Sequence, residues 1–416
     1  MDFENNDTPL GLNLLSCRSY NHLIVLGSGC ESPTFGVCEF ALEVELQNSI
    51  RLVQNNHTPL QNFNIHKYCQ HASVCHTIKL TMLEKPRVCV LSDYSLREFD
   101  PAVYFDGYEW EMFMPKNPLM EFLQKLQSSG RFDVYLNLCD GSNDKRFRYE
   151  GVDIVQALEE LNLPFTGATV NFYDPSRETM QVAAESRQVG FARGGNVSSV
   201  PEAEALSQSL RYPLMVKHPS SFGSTGMTRK SRVKNVRSLR SQVKKICEKY
   251  GSARVEEFID GREFTVLVSD NPDDLRAPYV YPPAEIIFPE GETFLHVYVK
   301  WQKWVYLKPV PDEALAERLM TMSRKMYLAM DGVGYARADI RMREDGGLVM
   351  LEINPNPGIL FKPEHFGPAD VTISYDRDGH NGFFERIFRA ALLRQQERML
   401  QYSMYNEVTN ANLYSV

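Results

Sequence analysis

The feature that most constrains this fold is a predicted β-hairpin near the C-terminal end of the chain. Two segments with alternating apolar and polar residues, 336–342 and 348–353, flank the turn sequence Glu-Asp-Gly-Gly at 344–347. An Asp-Gly pair between two such segments is a strong signal for a tight turn. The sequence therefore predicts two antiparallel strands whose side chains alternate between two faces.

One face of this hairpin gathers four polar side chains. If the central Asp-Gly pair forms the loop, Asp339 lies opposite Glu352 and Arg337 lies opposite Asn354. Residues two apart in a strand share a face, so all four groups lie on the same face. Two carboxylates and an amide oxygen are hard ligands, which favour Mg²⁺ or Mn²⁺. An exposed hairpin with a cross-strand Arg–Asp pair and no metal is the alternative interpretation.

A segment of small residues follows Lys217, where an apolar strand is predicted to end. The segment reads HPSSFGSTGM at 218–227 and includes Ser224. Backbone N–H groups in such a loop can converge on phosphate oxygens, and a lysine adds a point charge. The lysine precedes the glycines, unlike in a Walker motif, and the segment alone is more typical of a flexible surface hairpin.

An acidic segment, EEFIDGRE at 256–263, leads into another predicted strand at 264–268. Such a linker can offer backbone groups and a carboxylate to a purine, and Glu263 to ribose hydroxyls. A solvated acidic turn is the ordinary alternative for these residues when they are taken alone.

The overall composition excludes several classes of protein. The chain has 416 residues, with 45 Lys and Arg against 53 Asp and Glu, which gives a net charge of −8. An acidic chain is a poor general binder of nucleic acid or anionic membranes. No apolar run is long enough to span a membrane, the start does not resemble a secretory signal, and eight cysteines are too sparse for a disulfide scaffold. We expect a cytoplasmic protein without nucleic-acid or membrane partners.

Changes in composition along the chain suggest its domain organisation. Strand and helix signals alternate from residue 86, which is typical of a parallel sheet covered by helices. Helices and hairpin-forming strands follow and suggest two α+β lobes. The predicted parts are an extension of unknown role at 1–85, an α/β lobe at 86–173, a two-lobed region at 174–395 (174–255 and 256–395), and a tail at 396–416.

The order of these motifs resembles the ATP-grasp superfamily and, within it, the D-alanine–D-alanine ligases most closely. The ordered set is Lys217, STGM at 224–227, EEFIDGREFTV at 256–266, Lys300, GYARADIR at 334–341 and LEINPNPG at 351–358. A stretch of the first lobe, at 132–167, also resembles the ligases. The resemblance covers about 86–395 and implies an ATP-grasp fold, with an N-terminal α/β lobe and two α+β lobes that clamp the nucleotide.

The resemblance implies three sets of functional residues. The residues expected to bind ATP are Lys217, Ser224, Glu256, Glu257, Phe258, Ile259, Glu263 and Lys300. The residues expected to hold two Mg²⁺ or Mn²⁺ ions are Asp339, Glu352 and Asn354. The residues expected to act in catalysis are Arg337, Lys300, Ser224 and Gly358.

The activity that the resemblance implies is that of an ATP-dependent carboxylate–amine ligase. Such an enzyme activates a carboxylate, here expected from an amino acid, as an acyl phosphate and joins it to an amine, releasing ADP and phosphate. Two alternatives stay open: the acceptor is a thiol, a hydroxyl or carbonate, or the chain is a non-catalytic nucleotide-binding module. The resembled ligases also suggest a homodimer.

Departures from the ligase pattern affect the nucleotide and the substrates. The ligases carry a further lysine before the central lobe, whereas 174–190 contains none, and Arg177 or Gln181 is the possible substitute. The ligases' His-Gly is Asp140-Gly141 here, a loop serine is Gly223, and a Ser-Leu pair after the last motif is absent. We therefore do not expect D-alanine as the substrate of both halves.

Two further signals favour ordinary structure over a binding site. Five residues have side chains that suit zinc but match no common spacing, and they are His66, Cys69, His71, Cys75 and His76. Basic residues are frequent from Arg229 to Lys245, where apolar residues recur at helical spacing. We interpret this segment as an amphipathic helix with a solvated basic face.

Overall fold

The structure, a computed structural model, describes most of the chain from Lys85 onward. The described residues are 5–7, 13–17, 22–26, 85–93, 100–142, 148–220, 224–302 and 305–413. The candidate zinc residues at 66–76, most of the N-terminal extension, and Gly223 lie outside the described residues. Contacts between residues divide the chain into two units, one of which is Lys85–Leu400.

The N-terminal part contains a small antiparallel sheet among its described residues. Its strands, in the spatial order β1-β2-β3, are β1 (Asn5–Asp7), β2 (Asn13–Cys17) and β3 (His22–Leu26). The sequence predicts no role for this extension, and these strands do not assign one.

The unit Lys85–Leu400 begins with a parallel sheet, as the alternation of strand and helix signals predicts. Its strands, in the order β5-β4-β6, are β4 (Val88–Ser92), β5 (Trp110–Phe113) and β6 (Val134–Leu138). All of β4 is buried, which explains its continuous apolar sequence. The accompanying elements are α1 (Leu119–Ser128), β7 (Gly141–Ser142), β8 (Tyr149–Glu150), α2 (Gly151–Glu160) and α3 (Val170–Tyr173).

A four-stranded antiparallel sheet follows. Its elements are α4 (Arg177–Ser186), β9 (Gly194–Val197), α5 (Val200–Ser207), β10 (Leu214–Lys217), β11 (Arg232–Val233), α6 (Val236–Tyr250) and β12 (Ala253–Glu257). The strand order is β11-β10-β12-β9. Helix α6 buries Leu239, Val243 and Ile246, while its basic residues Arg240 and Lys244 are exposed. The predicted amphipathic helix is therefore present.

The next sheet along the chain has six strands. Its strands are β13 (Arg262–Ser269), β14 (Tyr279–Val280), β15 (Ala284–Ile287), β16 (Tyr306–Pro309), β17 (Tyr335–Met342) and β18 (Leu348–Pro355). The order is β16-β15-β13-β17-β18, with β14 paired to β13. The helices are α7 (Val297–Gln302), α8 (Glu313–Ala329), α9 (Pro368–Ser374) and α10 (Gly379–Leu413).

Burial of one face of the six-stranded sheet positions the polar residues on the other. Val266, Ala338 and Ile353 are fully buried and pack with Leu319 and Met326 of α8. Because side chains alternate along strands, the neighbours of these apolar residues lie on the opposite face. Helix α10 continues through residue 396, where the tail was predicted to begin. Among the described residues, no helix is both long and apolar enough to cross a lipid bilayer.

Candidate active site

The hairpin of β17 and β18 pairs the four polar residues as the sequence predicts. Asp339 lies opposite Glu352, and Arg337 lies opposite Asn354. We call these four residues the carboxylate face. Arg337 donates from Nε to Asp339 Oδ1 (3.0 Å) and from Nη2 to Oδ2 (2.9 Å). Asn354 Nδ2 donates to both carboxylates, at 3.1 Å to Asp339 Oδ2 and 3.2 Å to Glu352 Oε1.

The predicted two-residue loop of this hairpin is wrong. The loop has three residues, 344–346, and the Gly346 N–H donates to the Arg343 carbonyl at 3.0 Å. Gly346 has φ +79°, a left-handed conformation that glycine adopts without strain. A β-bulge then places Ile340 opposite Met350, so Leu351 is the extra residue. The bulge compensates for the longer loop and keeps the site residues on one face.

The carboxylate face fits a hard divalent cation by the chemistry of its donors. Two carboxylates from opposite strands approach one amide, and all three side chains carry oxygen ligands suited to Mg²⁺. Among the described residues, no group of three or more His, Cys, Asp or Glu side chains could hold a metal. A metal here would thus depend on the amide oxygen of Asn354 as the third protein ligand.

A further arginine contacts Glu352 from outside the hairpin. Arg177, the first residue of α4, forms an ion pair with the Glu352 carboxylate. Burial alone would raise the pKa of Glu352, but Arg177 and Lys217 outweigh burial and lower it to about 2. Glu352 is therefore ionised at neutral pH, as a metal ligand must be.

Three buried charged residues, Lys217, Arg254 and Glu256, form what we call the lysine cluster. Lys217 on β10 lies opposite Arg254 on β12, and Glu256 lies diagonally beside them on the same face. Lys217 and Arg254 both form ion pairs with Glu256, Arg254 from Nε at 3.1 Å. Two directly opposed cations would repel each other, so the carboxylate of Glu256 makes this arrangement stable.

Helix α4 supplies the remaining partners of Arg254, which is 0% exposed. Arg254 donates from Nη1 to Glu178 Oε1 (3.0 Å) and from Nη2 to Gln181 Oε1 (3.2 Å). Gln181 is therefore bound to Arg254, while Arg177 is the α4 residue that contacts the carboxylate face.

The charge balance of the lysine cluster favours an anionic ligand. Burial and then the nearby Arg177 lower the pKa of Lys217. The pKa of Glu256 is also lowered, because Lys217, Arg177 and Arg254 together outweigh its burial. The shift of Glu256, against its own burial, indicates a local excess of positive charge, which suits phosphate groups.

The linker after β12 borders an apolar cluster of Met215, Phe258 and Phe294, with Met227 packed against it. Phe258 and Phe294 are 5.7 Å apart between ring centroids. These side chains are buried, and an apolar lining of this kind suits the flat face of a base. The Phe258 N–H already has a partner, since it donates to the Pro213 carbonyl at 3.0 Å.

Other residues expected to meet the nucleoside are engaged within the protein. Glu263 is buried and pairs with Arg341, whose Nε lies 2.8 Å from Glu263 Oε2. Burial raises the pKa of Glu263 despite this arginine. Arg341 also donates to the Ile259 carbonyl at 2.7 Å. Glu257 lies at the edge of this linker, 3.4 Å from Arg343 Nη2.

The remaining predicted residues are Lys300, Ser224 and Gly358, and of these Lys300 lies near the carboxylate face. The pKa of Lys300 on α7 is lowered, chiefly by burial and then by the positive charge of Arg337. Ser224 has φ +60°, and its Oγ donates to the Leu295 carbonyl at 3.4 Å. At Gly358, an added Cβ would lie 2.9 Å from the Phe361 ring, so this turn requires glycine.

Some residues of the site had no signal in the sequence. Thr265 on β13 donates from Oγ1 to Asp339 Oδ1 at 3.0 Å, because β13 pairs with β17. Asp370 is fully buried and accepts from the N–H groups of Leu360 (3.0 Å) and Phe361 (3.2 Å), so it fixes the loop after Gly358. The partner of Thr265 lies 74 residues away, and the partners of Asp370 lie on the loop that precedes it, which local patterns do not reveal.

Parts of the chain are similar to known proteins. Residues 189–361 match the family model "D-ala D-ala ligase C-terminus". A D-alanine–D-alanine ligase of Janthinobacterium sp. (strain Marseille) is 28% identical over 231 residues, which cover 51% of this chain and 67% of that protein.

Two solved structures have the same fold. The D-alanine–D-alanine ligase from Coxiella burnetii has a TM-score of 0.58 at 17% identity and covers 79% of this chain and 100% of its own. The Bacillus anthracis enzyme complexed with ATP has a TM-score of 0.55 at 16% identity, with coverages of 75% and 99%. Residues 189–361 are therefore similar to the C-terminal part of D-alanine–D-alanine ligases, and the predicted fold class is confirmed.

Proposed function

We propose that this protein is an ATP-dependent ligase that uses the carboxylate face and the lysine cluster to activate an amino-acid carboxylate with ATP and to join it to an amine. The observation that carries the proposal is the hydrogen-bonded set of Arg337, Asp339, Glu352 and Asn354 on one face of a hairpin. A protein that only bound a nucleotide would have little need for two converging carboxylates beside an arginine.

Asp339, Glu352 and Asn354 are the residues that would hold Mg²⁺ or Mn²⁺. When bound, such an ion neutralises phosphate charge and orients the phosphoryl group for transfer. The expectation of two ions stays a prediction, because three protein ligands leave the count open.

Cationic side chains of this chain would bind and orient the triphosphate. Lys217 and Lys300 supply ammonium groups, and Arg337 supplies a planar guanidinium beside Asp339. Phosphoryl transfer needs positioning and neutralised charge more than covalent help from the protein. In this step the bond from the γ-phosphorus to the bridging oxygen breaks, a carboxylate oxygen bonds to that phosphorus, and ADP leaves.

The second step forms the carbon–nitrogen bond. The amine nitrogen attacks the acyl carbon, loses a proton, and phosphate leaves with the former carboxylate oxygen. Arg337 and the backbone after Gly358 would stabilise the oxyanion that forms. The segment with Ser224 would exclude water, which would otherwise hydrolyse the acyl phosphate.

The apolar cluster around Phe258 would receive the adenine, with Glu256, Glu257 and Ile259 nearby and Glu263 toward the ribose. For Glu263 to meet the ribose, its ion pair with Arg341 must open or share the carboxylate.

Three further predictions are part of the proposed function. They are the four-part domain division, the homodimer and the cytoplasmic location.

The substrate side differs from that of the ligases, which supports a pair of substrates other than two D-alanines. Asp140-Gly141 stands where the ligases have His-Gly, and the Asp93 carboxylate accepts from both of these N–H groups at 2.8 Å. The loop after Gly358 is held by Asp370 instead of carrying a Ser-Leu pair.

A phosphate-release screen tests the proposed function. The purified protein, ATP and Mg²⁺ are combined with pairs of amino acids and related amines, and products are identified by mass spectrometry. We expect ADP and phosphate release that depends on both substrates, and a product with an amide bond. A thioester or ester product would correct the acceptor, whereas no substrate-dependent release with any acid would count against the proposal. The same assay with Lys217→Met should show strongly reduced turnover.

A further inference from the structure

Arg177 has an environment that a purely structural ion pair does not need. Its side chain is nine-tenths buried, pairs with Glu352, and donates from Nη1 to the Leu351 carbonyl at 3.3 Å. Its Nε is also buried and has no hydrogen-bond acceptor among the described residues. A buried guanidinium N–H without an acceptor costs free energy, so it indicates a contact completed by a ligand.

The space beside this ion pair is too small for a phosphate group. Arg177, Glu352, Asn354 and Ser220 border a crevice of about 10 Å³. That volume holds about one water molecule. A nucleotide phosphate can therefore enter this crevice beside Glu352 and Asn354 only if the arginine moves or changes its partner.

A divalent cation at Glu352 would provide the reason for that change. The carboxylate would then have the cation as its counter-ion, and Arg177 would be left as a buried charge without a full partner, which is unfavourable. Phosphate oxygens are the complementary partner for a planar guanidinium. Glu256 and Asp339 also attract Arg177 and keep it charged in this site.

We propose that Arg177 is an exchangeable counter-ion, which neutralises Glu352 in the free enzyme and transfers to a nucleotide phosphate when a divalent cation takes its place. This inference rests on the proposed metal and nucleotide site. It assigns Arg177, instead of Gln181, to the position left without a lysine. It also makes metal binding and nucleotide binding depend on each other through one ion pair.

The exchange predicts opposite effects on the two ligands. Without nucleotide, Arg177 competes with the cation for Glu352, so its removal should tighten metal binding. With nucleotide, Arg177 contacts phosphate, so its removal should weaken nucleotide binding. Such coupling is reciprocal and typically changes affinities by about 5–150-fold.

The test measures both affinities separately in the full-length protein. Mn²⁺ binding without nucleotide is followed by electron paramagnetic resonance, and binding of a fluorescent ADP analogue is followed with and without Mg²⁺. The variants are Arg177→Gln and Arg177→Lys. The matched control is Arg187→Gln, which removes the same charge from an exposed position at the other end of α4.

We expect Arg177→Gln to bind Mn²⁺ about tenfold more tightly and ADP with Mg²⁺ about tenfold more weakly than the unmodified protein. The two affinities of Arg177→Lys should lie between those of Arg177→Gln and those of the unmodified protein, because lysine keeps the charge without the planar fork. Arg187→Gln should change neither affinity. If Arg177→Gln fails to fold, the Lys variant carries the test.

Two results would overturn the exchange: Mn²⁺ affinity that is unchanged or lower in both variants, or ADP affinity that is unchanged. A protein with native Arg177 that binds neither Mn²⁺ nor ADP would instead refute the proposed function. The two failures are thus distinguishable.

Discussion

The carboxylate face and the lysine cluster use similar charged residues but are assembled differently. The carboxylate face is built within one hairpin, where Asp339 and Glu352 are cross-strand neighbours. The lysine cluster lies on β10 and β12, and its central residue Arg254 is completed by Glu178 from a separate helix. The carboxylate face carries two carboxylates that can bind cations, whereas the lysine cluster carries more positive than negative charges.

Helix α4 joins the two clusters. Its residue Arg177 contacts the carboxylate face, and one residue later Glu178 contacts the lysine cluster. The comparison indicates that the groups proposed to bind metal are local to the hairpin, whereas the groups proposed to bind phosphate depend on packing between elements. Substitutions in the two clusters should therefore affect different properties of the protein.

The largest effect is expected at the carboxylate face. Asp339→Asn and Glu352→Gln each remove a negative charge needed for the cation while keeping the side-chain shape. We expect ATP turnover to fall by about a hundred- to a thousandfold, the scale of losing a key electrostatic group in a transition state. The control is Glu344→Gln on the exposed loop of the same hairpin, which should keep full activity. Near-normal turnover in either test variant would refute the metal assignment.

A substitution in the lysine cluster should first lower the free energy of unfolding. Arg254→Met leaves Glu256 with one partner fewer and removes the buried links to α4. Breaking a buried ion pair by removing one partner typically costs about 3–5 kcal/mol in the free energy of unfolding. Urea unfolding at neutral pH measures this loss. The exposed pair of Arg240 and Glu204 provides the control, and Arg240→Met should unfold at the same urea concentration. A similar midpoint for Arg254→Met would mean that α4 packs independently of the cluster.

The pH dependence of stability should separate the clusters further. The pKa of Glu352 is lowered to about 2, below its ordinary value of 4.5. A lowered carboxyl pKa stabilises the folded state above pH 4.5, and that stabilisation is lost as the pH falls toward 2. Relative to Glu352→Gln, the unmodified protein should therefore lose stability in this acid range. Urea unfolding of both proteins between pH 6 and pH 3 checks the sign, and parallel curves would contradict the pKa shift.

The smallest effect is expected on the basic face of α6. Lys244 is exposed, and its ammonium lies 3.8 Å from Glu248 Oε1. Lys244→Gln should change the free energy of unfolding by less than about 0.5 kcal/mol and leave the KM for ATP unchanged. A clear rise in KM would extend the phosphate-binding surface to this helix and weaken the contrast between the two clusters.

Local sequence was sufficient to predict most elements and half of the candidate site. The strands around Val88, Val134 and Phe264 and the amphipathic helix α6 agree with their patterns of apolar residues. The pairing of Asp339 with Glu352 was also predictable, since the two strands are joined by a short turn. The loop length was not, and agreement at the site depends on the bulge at Leu351.

The sequence by itself determined the hairpin, because residues close in the chain pair with little loss of entropy and alternate by strand geometry. Only the tertiary structure decided that Arg177 reaches Glu352 and that Arg254 reaches Glu178. Arg177 and Glu352 are 175 residues apart, and Arg254 and Glu178 are 76 apart. No local periodicity records such contacts, because they arise from the packing of α4 against two sheets.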